Sequence, residues 1–168
     1  IATMGKPMGN GYPVSAVVTS SEVIDAIQHL SHYFNTFAGT PGACAAASAV
    51  LDVIEEQGLQ ARALETGRYL KDSLKELAAF HPLIGDIRGS GMFIGIELVK
   101  DRASREPAVS ETEKAVNLLR ENGVLIGSTG QFDNVLKIRP PMVFTRQNAD
   151  LLLDKLSATL TAVRMESG

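Results

Sequence analysis

The sequence has no tryptophan, a single cysteine at position 44, and aromatic residues at only 5% of positions. One cysteine cannot close an intrachain disulfide, so a reducing compartment such as the cytoplasm suits the chain. Long hydrophobic runs are missing too: the longest small-apolar stretch, ACAAASAVLDVI at 43–54, is broken by Ser48 and Asp52. That is short of the roughly 18 apolar residues a spanning helix needs, so no membrane span is predicted. With 16 Lys and Arg against 19 Asp and Glu, no cationic surplus is available to neutralise phosphates, which argues against a general nucleic-acid binder. His29, His32 and His81 show no metal-ligand spacing and have no paired cysteines beside them, so no metal site is expected. Cys44, in an alanine-rich helix, reads as a small core residue rather than a nucleophile.

What remains is the composition of one soluble domain with a real core: 168 residues, 45% apolar and 21% charged. The order of elements predicts a mixed α/β fold. VSAVVT at 14–19 reads as a short strand, and Ser20 or Ser21 opens a helix through Leu30. SHYFNTFAGTPG at 31–42 has no helical period and is a loop, closed by Thr40 and Pro41 as N-cap and first residue of a helix to about Glu56. Gly58 supplies the left-handed residue that ends it. A helix over 59–79 carries Leu64, Leu70, Leu74 and Leu77 on one stripe. IGDIRGSGMFIGIELVKD at 84–101 predicts two strands about a glycine turn, the second apolar enough to be covered on both faces. Ser110 and Glu113 have capping-box spacing for a helix to about Asn122. VLIG at 124–127 and NVLKIRP at 134–140 are the last strands, and an amphipathic helix covers 146–164.

The segment TMGKPMGNGYPVSAVV at 3–18 places Lys6 in a loop of glycines and prolines that runs into a strand. A nucleotide P-loop requires a glycine five residues before Gly5, a Ser or Thr after the lysine and a helix next. Pro7 and the strand exclude it, and GNG at 9–11 precedes a strand rather than following one, which excludes a dinucleotide fingerprint. A lysine that attacks a carbonyl remains, since small neighbours let a flat ring lie against the backbone and proline stiffens the loop. An ordinary loop lysine is the simpler alternative on composition alone.

That segment closely resembles the active-site lysine region of the class III aminotransferases, pyridoxal-phosphate enzymes of the aspartate aminotransferase fold. YFNTFAGTPGACAAASAVLDVIEEQGL at 33–59, LIGDIRGSGMFIGIELVKDR at 83–102, GVLIGSTG at 123–130 and NVLKIRPPMVFT at 134–145 resemble the same family in the same order. The nearest likeness is to the subgroup of alanine–glyoxylate aminotransferase 2 and the ethanolamine-phosphate phospho-lyases. The resemblance implies a C-terminal portion of a fold type I transferase: residues 1–39 the end of the large cofactor-binding domain, 40–57 an interdomain helix, and 58–168 the small domain. It implies pyridoxal 5'-phosphate as cofactor, a homodimer, small-molecule amine and keto-acid substrates, and amino transfer through a Schiff base on Lys6. Elimination of phosphate from an amino-phosphate is the alternative activity, and a non-catalytic module the third reading.

Lys6 takes the position of the Schiff-base lysine and general base. Thr36 matches the threonine that reaches across the dimer to the cofactor phosphate; alone it would be an unremarked loop residue. Lys137 falls where many members place a carboxylate-binding arginine, and Arg139 follows on the same strand face. Two solvated strand residues are an equally good reading of that pair, and lysine in place of arginine leaves a phosphate-bearing amine open as substrate. Arg88 reads as structural. The chain opens at Ile1 rather than at methionine. The carboxylate, stacking aromatic and glycine-rich phosphate loop of the large domain are expected to lie outside it, leaving this piece incomplete for catalysis and prone to self-association.

Overall fold

A computed structural model describes residues 1–166 as two compact units, divided after Gly58. In the first unit, strand β1 (Ala2–Met4) pairs antiparallel with β2 (Ala16–Val18), Thr3 lying opposite Val17. The loop between them contains a 3-10 turn, Lys6–Gly9. Helix α1 (Ser21–Leu30) buries none of its residues, and α2 (Pro41–Glu56) buries only Ala43 and Ala47. Pro41 opens α2 as its first turn prefers, although the Thr40 side chain makes no capping bond. Gly58 takes φ +57 just beyond it, the left-handed conformation that glycine adopts without strain.

The second unit is a two-layer sandwich. Helix α3 (Leu59–Ala78) leads into the hairpin of β3 (Ile84–Ser90) and β4 (Phe93–Leu98). Helix α4 (Val109–Glu121), strands β5 (Gly127–Thr129) and β6 (Val135–Ile138), and helix α5 (Arg146–Glu166) follow. The sheet order is β3-β4-β6-β5, with every neighbouring pair antiparallel. Alternate residues of the central strands, Ile94, Ile96 and Leu98 of β4 and Leu136 and Ile138 of β6, join Leu70, Leu74, Leu119, Leu156 and Leu160 of the helices in one core. Each such side chain contributes about 1.5–3 kcal/mol when fully buried.

Several sequence expectations are corrected. The β4 run is covered on one face within this unit, since Phe93 is 58% exposed while Ile94 is buried. An antiparallel sheet with one layer of helices leaves the other face open. Ser110 lies inside α4 rather than at its cap: Ala108 holds that position, and the Ser110 hydroxyl donates to Glu111 instead. The strand expected at 124–127 begins only at Gly127 and runs to Thr129, because its partner β6 ends at Ile138, and Pro140 beyond it has no N–H to extend the ladder. Leu64 stands exposed beside the Leu70–Leu74 stripe, and Cys44 is exposed while Ala43 and Ala47 fill the buried side of α2. No helix among the described residues is long and apolar enough to cross a membrane.

Candidate active site

Lys6 sits at the start of the 3-10 turn with φ +28, a conformation that costs a non-glycine residue about 1–3 kcal/mol and collects at functional sites. Three short backbone bonds close the loop around it: Met8 N–H to Gly5 O at 2.9 Å, Asn10 N–H to Pro7 O at 3.0 Å, and Tyr12 N–H to Gly9 O at 3.0 Å. Its glycines serve different ends. A Cβ on Gly9 would come within 2.7 Å of Val14 Cγ1, so Gly9 is demanded by packing. A Cβ on Gly5 would meet nothing within 4 Å, so the flank of Lys6 is open space. The Lys6 amine is exposed and enters no ion pair among the described residues.

Thr36 belongs to the same unit, in a turn built by Asn35: the Asn35 Oδ1 accepts from Phe37 N–H at 3.0 Å and its carbonyl accepts from Ala38 N–H at 3.2 Å. Among the described residues the exposed Thr36 hydroxyl has no hydrogen-bond partner, and no bond joins it to Lys6.

Lys137 and Arg139 belong to the second unit and are brought together. Lys137 is half-buried on β6, on the sheet face away from the helices, and Arg139 is exposed just past the strand end. Both line a cavity of about 620 Å³, together with Ile126, Gly127, Phe144 and Leu151. No carboxylate lines it, and neither cation has an ion pair among the described residues. Arg88, on the same sheet face, is committed elsewhere. Its guanidinium bonds Asp86 at 2.8 Å and also Glu97, and these bonds, Asp86 first, raise its pKa further. The openness around Lys137 has no signal in the linear sequence, because it depends on which residues of neighbouring strands stand opposite.

The sequence model of the family described as Aminotransferase class-III matches residues 1–160, and the chain belongs to that family. Among its relatives, an alanine–glyoxylate aminotransferase 2-like protein of Drosophila melanogaster is 47% identical over 99% of this chain and 34% of its own length. The ethanolamine-phosphate phospho-lyase homolog 1 of Caenorhabditis elegans is 44% identical over 96% of this chain and 35% of its length. The solved phospholyase from Arthrobacter in complex with phosphoethanolamine superimposes with a TM-score of 0.91 at 44% identity, covering 95% of this chain and 38% of that one. The chain thus spans about a third of the length of the curated relatives it matches.

Proposed function

We propose that this chain carries the cofactor lysine and the substrate-anion contacts of a pyridoxal-phosphate-dependent aminotransferase, which moves an amino group from an amine or amino acid to a keto acid. The observation that carries the reading is Lys6 itself: a non-glycine residue at φ +28, between a glycine with an open flank and a proline. Bound pyridoxal phosphate supplies an electron sink for the negative charge that develops at the substrate carbon. The residues present fit that group. Open space beside Lys6 supports room for a flat ring, a lysine amine has the chemistry to hold it and to carry a proton to and from the substrate carbon, and the Thr36 hydroxyl suits a phosphate oxygen. Lys137 and Arg139 bind the anionic end of the substrate. The exposed run of Leu30, Tyr33, Phe34 and Phe37 supports a homodimer, in which Thr36 serves the partner's cofactor. The exposed, unpaired Cys44 suits a reducing cytoplasm.

The test is covalent labelling of the chain. Incubation with pyridoxal phosphate, borohydride reduction and peptide mapping should place the label on Lys6 ahead of the other lysines. Labelling that ignores Lys6, or spreads evenly over the lysines, refutes the assignment.

A second reading, elimination of phosphate from an amino-phosphate, draws on the two unpaired cations of an acid-free cavity and on the likeness to a phospholyase solved with phosphoethanolamine. In an active enzyme carrying this sequence, phosphate release from phosphoethanolamine, set against amination of pyruvate or glyoxylate, decides between the two.

A further inference from the structure

Lys137 has a glycine opposite it on both neighbouring strands. β6 pairs with β4 in the register Gly95↔Lys137, and with β5 in the register Gly127↔Lys137. Directly paired residues project to the same face with Cβ atoms about 5 Å apart, so a lysine in the middle of a sheet is normally walled by two side chains. Here both walls are missing. Glycine inside a strand weakens it and marks either a local packing demand or a place where something approaches the backbone.

The two glycines answer to different demands. At Gly95 a Cβ would lie 3.0 Å from Val135 Cγ1, so a side chain there would press on Val135 within the sheet. At Gly127 neither usual demand applies. A Cβ there would meet no heavy atom within 4 Å, and the residue is not in the left-handed region. This unit would accept a side chain at this position, and a β-branched one would favour the strand. Gly127 also lines the same acid-free cavity as Lys137 and Arg139.

We infer that Gly127 is a specificity-determining residue, keeping the flank of Lys137 clear so that a compact oxyanion of the substrate lies against the β5–β6 ladder within reach of Lys137 and Arg139. This rests on the reading of Lys137 and Arg139 as substrate contacts. Carboxylate and phosphate share the required chemistry. The tetrahedral phosphate, being bulkier, depends more on the missing side chain.

The experiment is a titration of the isotope-labelled chain, followed by amide NMR, with phosphoethanolamine and, separately, pyruvate. The variants are Gly127→Ala, Gly127→Val and Lys137→Met. In the wild type, shifts centre on Gly127, Lys137 and Arg139. G127V keeps the wild-type melting temperature yet binds phosphoethanolamine about tenfold more weakly or worse; G127A falls between, and pyruvate binding drops less. K137M weakens both anions. If G127V binds like the wild type while K137M does not, the role given to Gly127 is wrong and the Lys137 reading stands. If K137M binds like the wild type, or the wild type shows no localised shifts, both fall. Should G127V melt early, G127A carries the same comparison, and wild-type affinity in that variant overturns the inference.

Discussion

Gly67 gives the sharpest test of how the second unit is packed. It is buried in the middle of α3, where glycine costs about 1 kcal/mol relative to alanine, so on helix propensity alone Gly67→Ala should stabilise. The structure predicts the opposite. A Cβ on Gly67 would lie 2.1 Å from the carbonyl oxygen of Gly91, 2.2 Å from its carbonyl carbon and 2.8 Å from its Cα. All three are backbone atoms, so no side chain can rotate aside, and the turn between β3 and β4 must retreat from the helix by about 1 Å to restore ordinary contact. Gly91 has φ +53 and Gly89 has φ +144, and a Cβ on Gly89 would itself press on Phe93 O, so the turn has little freedom to adjust. Overpacking of this kind costs about 1–3 kcal/mol. Rigid backbone on the far side places the cost at the upper end, leaving a net loss of about 2 kcal/mol after the propensity gain. For a unit of this size that lowers the melting temperature by roughly 6–10 °C. Thermal unfolding followed by circular dichroism measures it, with exposed Arg68→Ala as a neighbouring control expected within about 0.5 kcal/mol of wild type. A G67A variant that melts at or above the wild-type temperature would refute the close-approach argument.

Other expectations follow from single contacts. Arg102 donates to the carbonyls of Ile84, Ala78 and His81, tying the end of α3 to the start of β3; Arg102→Ala should cost about 2–3 kcal/mol in urea unfolding, and Arg102→Lys, which cannot span all three, should recover only part. His81 is buried, with Nε2 3.0 Å from Ser157 Oγ, and burial first and Arg164 second hold its pKa below the ordinary 6.5. The unfolded chain therefore binds that proton more readily. Its contribution to stability is complete above about pH 6.5 and is lost as the pH falls from there through the lowered folded-state pKa, with a limiting slope of about 1.4 kcal/mol per pH unit. Comparing wild type with His81→Gln between pH 7.5 and 5.5 should show the variant losing less stability, and equal losses would exclude the histidine as the source. Sedimentation should find the chain associating in the micromolar range through the exposed Leu30, Tyr33, Phe34 and Phe37; a clean monomer would count against the proposed dimer face.

Much of this was legible in the chain because it is local. The lysine loop, the Thr40–Pro41 helix start and the Gly58 stop depend on φ restrictions of neighbouring residues, and those act within a few positions. The spacing of Leu70 and Leu74 marks the buried stripe of α3 for the same reason. The errors fell where a local signal competed with a distant partner. Ser110 and Glu113 have the spacing of a capping box, yet the loop before them delivers Ala108 to the helix start. Cys44 and Ala43 are indistinguishable in an apolar run, and helix α2 turns only one of them inward.

By itself, then, the sequence determined which residues could bend, start, stop and alternate, and so the class of fold and the place of Lys6. Only the tertiary structure decided that Gly67 must be bare because the Gly91 backbone lies against it, and that Lys137 has a glycine on each side. Those facts depend on the register of segments brought together from tens of residues apart. Register is set by the fit of whole strands and helices against one another, and no stretch of adjacent residues contains that information.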